Sequence, residues 1–270
     1  MKNINGCDIV TPISKENSVI ISRRQSGNFH VYIRGNSKFV VFLNDEDYIK
    51  FLIKSNTAAK DYNTKIGAFA LMDNHAHLHV VTDCLTAFMR SLLIGYTRCY
   101  NKRKGLADKL FKTPFGSSFI YSQELISENL LYIFSNPIKA GICTNPWEYK
   151  WSSYHFHNKD KKNPLSAYID IDTSIVESSF SNKRILDSAI CSFNADVTKS
   201  RKSYWPVTPD YEVIKHMNTI LAGRNLLTLS KAELKSLIIR LRKEDNATYR
   251  QIATITHEGY EEVRRICQFF

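Results

Sequence analysis

The sequence predicts an α+β fold, a β-sheet with helices on one face, followed by an all-helical C-terminal region. Between residues 27 and 158, strand-like runs rich in β-branched and aromatic residues alternate with amphipathic runs in the order β-β-α-β-β-α. From about residue 211 onward the pattern is helical throughout. The chain is 43% hydrophobic and 23% charged, as in ordinary globular proteins, so it can bury a core.

The first strand-like runs are FHVYIRG (29–35) and KFVVFL (38–43), which flank a Gly-Asn turn and predict a strand pair. A helix is predicted next, because Asp45 can act as its N-cap and apolar residues such as Tyr48 and Phe51 recur near a period of 3.6. The first part of the domain therefore has the order β-β-α.

The next two runs, KIGAFALM and HAHLHVVTD, predict either one long strand or a hairpin bent near Asp73. The amphipathic run LTAFMRSLLIGYTRCYNKRKG predicts a second helix. A third helix is predicted at SQELISENLLYIFSNPIKAG, and it must break near Pro137 because proline has no backbone N–H to donate.

Changes in composition divide the chain into four segments. The polar stretch HNKDKKNP (157–164) is typical of a linker, and Trp205 with Pro206 marks the entry to the last segment. The predicted segments are an N-terminal extension (1–26), the α+β domain (27–158), a linker with a helical extension (159–204) and a helical domain (205–270).

Charge and composition limit the classes of function. The net charge of +11 and the pI near 9.3 favour a polyanionic partner, nucleic acid above all. No apolar run approaches the roughly 20 residues that cross a bilayer, and the N-terminus lacks the apolar core of a signal peptide, which predicts a cytoplasmic protein. The six cysteines are scattered without a CxxC pair, which argues against a zinc ribbon or a disulfide framework.

Three histidines stand at every second position of the strand-like run LMDNHAHLHV (71–80). Side chains at i and i+2 of a strand share a face, so His75, His77 and His79 point the same way. Neighbouring imidazoles about 7 Å apart can lean together onto one metal ion. The spacing equally suits surface histidines on the wet face of an edge strand. A binuclear metal hydrolase is disfavoured, because no later strand supplies further histidines.

The run ALMDNHAHLHVV resembles the MPNHxHL signature of the REP-associated tyrosine transposase group of the single-tyrosine HUH transposases. The likeness continues in matching order. It includes FHVYIRGNSKFVVF, YTRCYNKRKG, YIFSNPIKAG and PWEYKWSSYHFH, and so covers about residues 27 to 158.

This resemblance implies a ferredoxin-like antiparallel sheet, the HUH nuclease fold, with His75 and His77 on a central strand. It implies that Tyr132 is the catalytic nucleophile and that Asn136, one helical turn on, is a third metal ligand. The implied activity is that of a divalent-metal-dependent (Mg²⁺ or Mn²⁺) endonuclease and strand transferase. Such an enzyme nicks and rejoins single-stranded, hairpin-bearing DNA through a 5′-phosphotyrosine intermediate.

The sequence also offers alternatives to this site. From periodicity alone Tyr132 is better explained as a core aromatic of an amphipathic helix. Asp73 stands where the family usually has proline, and the loop GLADKLFKTPFGSSF lacks the family's arginine before phenylalanine. His79 and Asp73 are candidate outer hydrogen-bonding partners of the metal ligands. The fallback nucleophiles are Tyr96, Tyr100 and Tyr121.

Two basic segments are candidate DNA contacts. The first joins lysines and an arginine to nearby phenylalanines, a composition that suits a groove for phosphates and stacked bases: Lys102, Arg103, Lys104, Lys109 and Lys112. The second is helix-turn-helix-like, with Ile252 on one helix, Val263 on the next and Arg264 and Arg265 beside a recognition helix. A plain three-helix packing module is the alternative for this second segment.

Two functions are therefore compatible with the sequence. One is the tyrosine transposase, a monomer or homodimer acting on single-stranded hairpin DNA without a membrane partner. The other is a domesticated, non-catalytic protein that binds DNA by its sequence or structure.

Overall fold

The computed structural model describes residues 23–36, 39–107, 109–112, 114–157, 163–198, 208 and 210–268. Its centre is a four-stranded antiparallel sheet in the order β2-β3-β1-β4. The strands are β1 (Gly27–Arg34), β2 (Lys65–Met72), β3 (His75–Thr82) and β4 (Gly116–Ile120). Helices α1 (Asp45–Asp61) and α2 (Leu85–Lys104) give the chain order β-α-β-β-α-β. The domain is therefore ferredoxin-like, and the predicted α+β class is confirmed.

The hairpin alternative for β2 and β3 is correct, but the predicted strand at 38–43 is wrong. Within its described part, residues 39–43 form no strand. The N–H groups of Val41 and Phe42 instead donate to the Asp73 carbonyl at 2.8 and 3.0 Å. Because β1 pairs with β3 on one side and with β4 on the other, it has no free edge for a third partner.

One face of the sheet is covered by α1 and α2, as predicted. Phe29 and Val31 of β1 alternate toward this side and pack with Phe51 of α1 and Phe88 of α2, all nearly fully buried. The N-cap of helix α1 is Asn44, one residue before the predicted cap Asp45. The Asn44 side chain accepts a hydrogen bond from the backbone N–H of Asp47, the third residue of the helix.

A third long helix, α3 (Gln123–Lys139), lies on the opposite face. Its apolar residues Ile133 and Phe134 pack over Ala68 and Ala70, whose small side chains let the helix lie close to β2. The helix runs through Pro137 and ends two residues later, so it does not break at the proline. A proline in the last turn removes only one hydrogen bond.

The carboxylate of Asp47 is fully buried where α1 meets the end of α2. It accepts from the Leu43 N–H at 2.9 Å and from Arg103 Nη2 at 2.7 Å, and Lys104 Nζ lies 3.6 Å away. The Asp47 side chain therefore joins the start of α1, the end of α2 and the segment that precedes α1.

We expect Asp47→Ala to lower the free energy of unfolding by about 3 kcal/mol, because the substitution leaves partly buried cations and an N–H without their acceptor. Urea unfolding followed by circular dichroism measures the change. Asp45→Ala is the matched control, since Asp45 pairs with Lys150 on the surface and should cost less than about 1 kcal/mol. Equal losses for the two variants would contradict this prediction.

The C-terminal region is helical, as predicted. Its α-helices are α4 (Ser174–Glu177), α5 (Lys183–Thr198), α6 (Asp210–Leu221), α7 (Lys231–Glu244), α8 (Tyr249–Thr256) and α9 (Tyr260–Cys267). Among the residues that the structure describes, no helix combines the length and the apolar character that a membrane span requires. Trp205, Pro206 and most of the predicted N-terminal extension lie outside the described residues.

The helical region contacts the segment at 39–43. The rings of Phe39 and His257 lie 4.7 Å apart between centroids, and Asn218 Nδ2 donates to the Leu43 carbonyl at 3.0 Å. His257 ends α8 in the left-handed region, with φ of 63°, a conformation that asparagine and glycine adopt more readily than histidine. Segment 39–43 therefore packs against the helical region instead of pairing in the sheet.

We expect stability to fall as the pH drops from 6.5 toward 4, in part through His257. Burial lowers the pKa of His257 from 6.5 to about 4, against the opposing effect of a hydrogen bond with the Val40 backbone. Between pH 6.5 and 4 the unfolded chain therefore takes up a proton at His257 while the folded chain does not. The stability that comes from keeping His257 neutral is fully present above pH 6.5 and is lost as the pH approaches 4. His257→Asn should reduce this pH dependence by up to about 3 kcal/mol, measured by urea unfolding at both ends of the range. An unchanged pH dependence in the variant would contradict the assignment.

Candidate active site

Strand register brings polar and aromatic side chains of β1 and β3 together on the face that α3 partly covers. Tyr32 lies opposite His77, and His30 lies opposite His79. Arg34 lies opposite His75 at the end of the strand. Because directly opposed residues of an antiparallel pair share a face, all three histidines of β3 face the same side as these β1 residues. The predicted common face of the histidines is confirmed.

The open part of this face forms a cavity of about 540 Å³ beside α3. It brings His75 and His77 together with Tyr132 and Asn136 of α3. The remaining lining residues come from β1, the segment before β4 and the first residue of β4: Tyr32, Ile33, Arg34, Lys112, Pro114, Phe115 and Gly116. His79 does not line this cavity. Only His75 and His77 of the three histidines therefore reach it.

Each candidate metal ligand has one polar atom engaged elsewhere and one left for the cavity. His75 Nδ1 lies 2.6 Å from Asn74 Oδ1, and His77 Nδ1 lies 2.9 Å from His30 Nε2. Asn136 Nδ2 donates to the Tyr132 carbonyl at 2.8 Å, which leaves its amide oxygen. Two imidazole Nε2 atoms and an amide oxygen suit a divalent cation such as Mn²⁺ or Mg²⁺. Among the described residues, no group of three or more His, Cys, Asp or Glu side chains is placed to hold a metal ion.

Both cavity histidines are neutral across the physiological range. Burial lowers the pKa of His75 to about 4, and the nearby Arg34 guanidinium adds to this effect. Burial also lowers the pKa of His77 to about 3, with further contributions from His75, His30 and Arg34. A neutral imidazole carries the lone pair that binds a cation, so the site does not need to lose protons before binding.

Tyr132 is half-buried on α3, and its ring lies edge-on to His77 with 5.3 Å between the ring centroids. The ammonium of Lys139 lies 4.8 Å from the centre of the Tyr132 ring. The alternative nucleophiles lie elsewhere. Tyr96 and Tyr100 are fully buried in the core on the other side of the sheet, where burial raises the pKa of each, and Tyr121 is 78% exposed away from the cavity.

His30, Tyr32 and Arg34 also lie at the site, although no sequence motif singled them out. These residues occupy alternate positions of FHVYIRG, the same period of two that singled out the histidines of β3. The alternation was a usable signal, but only the register shows that His30 reaches His77, with Tyr132 also 5.4 Å away between ring centroids. His30 is therefore an additional outer partner of a candidate metal ligand.

The two outer partners suggested by sequence lie in other hydrogen bonds. His79 is fully buried, and its Nδ1 lies 3.0 Å from Asn129 Oδ1 on α3. The Asp73 carboxylate accepts from the Tyr48 hydroxyl at 2.7 Å. Neither side chain hydrogen-bonds to His75 or His77 in the described structure. We therefore expect both to support the fold around the site.

The candidate DNA contacts fall into three groups. Lys112 lines the cavity, whereas Lys102 and Lys109 are exposed outside it. The charges of Arg103 and Lys104 are engaged by Asp47. Arg103 and Lys104 are therefore largely buried in ion pairs within the fold, whereas Lys102 is exposed to solvent.

Helices α8 and α9 and the turn between them have the order of a helix-turn-helix. Thr248 and Gln251 form a capping box at the start of α8, and Gly259 is the N-cap of α9. Arg264 and Arg265 are exposed on α9 and pair with Glu261 at 3.6 Å and Glu262 at 2.7 Å on the same helix. A DNA contact by α9 remains a prediction, because these arginines would first have to exchange their intrahelical partners for phosphates or bases.

The sheet order and the cavity together define a ferredoxin-like α+β domain whose sheet presents two histidines toward a helical tyrosine and asparagine. Its structure is similar to the solved structure of a REP-associated tyrosine transposase bound to a REP hairpin, with a TM-score of 0.46 and 15% sequence identity. The similarity covers 60% of this chain and 93% of that one. No protein-family model and no curated protein matches the chain.

Proposed function

We propose that this protein is a metal-dependent single-strand DNA endonuclease and strand transferase of the tyrosine transposase kind, with Tyr132 as its nucleophile. One observation carries the proposal. Tyr132, His75, His77 and Asn136, which stand up to 61 positions apart in sequence, meet around a single solvent-reached cavity. A merely structural tyrosine in an amphipathic helix would pack into the core, as Tyr96 and Tyr100 do.

The reaction exchanges one phosphodiester for another. The Tyr132 phenolic oxygen attacks the scissile phosphorus, the new O–P bond forms as the bond to the 3′-oxygen breaks, and the phenol proton is lost while the leaving 3′-oxygen gains one. The products are a 5′-phosphotyrosine bond and a free 3′-OH. A later 3′-OH reverses the step without ATP, because the linkage retains the free energy of the phosphodiester.

The side chains around the cavity prepare this attack. His75, His77 and Asn136 would hold Mg²⁺ or Mn²⁺, which supplies Lewis-acid polarisation of the scissile phosphate. The His30 imidazole orients His77, and the Lys139 ammonium packs over the Tyr132 ring, 4.8 Å from its centre. Arg34 and Lys112 line the same cavity, where their charges favour a phosphate backbone.

The proposal is tested by covalent capture. The full chain is incubated with a pool of hairpin oligonucleotides that carry randomised single-stranded flanks and a label at the 3′ end, with Mn²⁺, with Mg²⁺ or with EDTA. Because the enzyme would keep the 5′ end of the 3′ fragment, the label should migrate with the protein on a denaturing gel in either metal and not in EDTA. Sequencing the captured DNA then gives the recognised hairpin.

Binding of the same pool without an adduct in either metal would contradict the endonuclease proposal. That outcome would favour the second candidate, a non-catalytic DNA-binding protein, which the net charge of +11 supports equally well. Binding is measured on the same pool by fluorescence anisotropy, so one preparation decides between the two.

A further inference from the structure

Tyr32 is unusual among the aromatic residues of the sheet because it lines the cavity and is 47% exposed. It lies opposite His77 on the neighbouring strand, with 6.4 Å between the two ring centroids. Phe29, on the same strand but on the other face, is 1% exposed and packs in the core. Tyr32 therefore contributes an aromatic surface to the cavity and little to the core.

Gly116, the partner of Tyr32 on β4, explains how the ring is held. A Cβ atom at Gly116 would lie only 1.9 Å from Cζ of the Tyr32 ring. The ring therefore rests directly over the backbone of Gly116, in space that any other residue would fill. One side of the ring therefore lies against the glycine, while nearly half of the residue stays exposed to solvent.

Two cations stand beside this ring. Arg34 lies two residues further along β1, and Lys112 lies at the cavity wall. Both are exposed, and neither side chain has a hydrogen bond or ion pair with the described residues. Lys112 lies next to Arg34, since its backbone N–H donates to the Arg34 carbonyl at 2.8 Å. An exposed aromatic ring with unpaired cations nearby suits single-stranded nucleic acid, since the ring stacks on a base and the cations contact neighbouring phosphates.

We propose that Tyr32 is a stacking platform for one unpaired nucleobase of the substrate strand, next to the phosphodiester that Tyr132 attacks, with Arg34 and Lys112 contacting the adjoining phosphates. This inference rests on the proposed function and deepens it, because it names the part of the substrate that the cavity recognises. Stacking accepts any base, so sequence preference would come from other contacts.

The test measures binding apart from chemistry, in the Tyr132→Phe background. The probe is the hairpin oligonucleotide that binds most tightly in the randomised pool, selected by binding and not by covalent capture. Tyr32→Ala should weaken the affinity for this oligonucleotide by roughly 5- to 150-fold in fluorescence anisotropy, the range for loss of one stacked base. Tyr32→Phe should bind like the parent, because the ring remains. Tyr32→Ile, a good strand former, repeats the loss if the alanine variant fails to fold, and Tyr121→Ala is the control for an exposed tyrosine outside the cavity.

An abasic site moved along the single-stranded flank identifies the stacked base. At one position the abasic oligonucleotide should bind the parent and the Tyr32→Ala variant equally well, while elsewhere the difference persists. A 2-aminopurine at that position should lose fluorescence on binding the parent and not the variant.

The experiments distinguish a failure of the stacking proposal from a failure of the proposed nuclease function. An adduct in the wild-type protein with no effect of Tyr32→Ala at any position would overturn the stacking proposal alone. Stacking signals without an adduct in the wild-type protein would overturn the nuclease and leave the base-binding surface. Absence of oligonucleotide binding would overturn both.

Discussion

Tyr132→Phe is expected to bind hairpin DNA as the parent protein does and to form no covalent protein–DNA adduct. The substitution removes one oxygen from a half-buried ring that packs edge-on to His77, so the surrounding geometry should be kept. Without the phenolic oxygen no O–P bond can form, and nicking should fall to background. The measurement is the denaturing gel of 3′-labelled oligonucleotide, with anisotropy to show that binding persists.

Tyr121→Phe is the matched control, because Tyr121 precedes the same helix and is 78% exposed outside the cavity. It should form the adduct at the parent rate. An adduct that persists in Tyr132→Phe and disappears in Tyr121→Phe would move the nucleophile to Tyr121. Persistence in both variants would exclude both tyrosines.

His77→Ala is expected to abolish nicking and to weaken Mn²⁺ binding more than the loss of any outer partner does. The variant removes one of the two imidazoles at the cavity, while its neighbours Ala70 and Tyr32 remain to hold the strand pairing. His30→Phe keeps a ring in the same place and removes the atom that contacts His77 Nδ1. We expect it to weaken Mn²⁺ binding by roughly 10- to 100-fold, the usual effect of losing an outer hydrogen-bonding partner.

Isothermal titration calorimetry of the metal-free protein with Mn²⁺ measures both effects without relying on activity. The control is His216→Ala, since His216 lies in the helical region and pairs with Asp245 at 2.8 Å. Equal Mn²⁺ affinity in the parent and His77→Ala would remove His77 from the ligand set. A loss in His77→Ala with none in His30→Phe would show that His30 does not orient it.

Helix α9 of the C-terminal region carries the two arginines that the sequence predicts to contact DNA. Arg264 and Arg265 are on the outer side of α9 and already hold intrahelical carboxylate partners. Exposed pairs of this kind contribute little to stability, so these arginines can exchange Glu261 and Glu262 for phosphates at small cost. The geometry of α8 and α9 is thus compatible with the predicted helix-turn-helix. Whether Arg264 and Arg265 contact DNA is tested by measuring the DNA affinity of variants at these positions.

Much of the fold could be predicted from local periodicity. The extended conformation of β2 and β3, the helices α1, α2 and α3 and the shared face of the histidines follow from repeats of two and 3.6 residues, which depend only on neighbouring residues. The same repeats left open whether β2 and β3 form a hairpin or one long strand, and the structure shows the hairpin. The spacing of Tyr132 and Asn136 by one helical turn is of the same local kind. The identity of the predicted nucleophile and ligands, however, came from motif resemblance, since periodicity alone placed Tyr132 in the core.

The remaining features depend on contacts between residues far apart in the chain. The sequence by itself determined that three imidazoles share one side of a strand. The tertiary structure decided that two of them reach a cavity, that His30 and Tyr32 stand beside them and that residues 39–43 form no strand. It also decided that Arg103 and Lys104 pair with Asp47. The physical reason is that strand order and register are set by the burial of whole faces, and a strand with both edges occupied excludes a partner that its own sequence would accept.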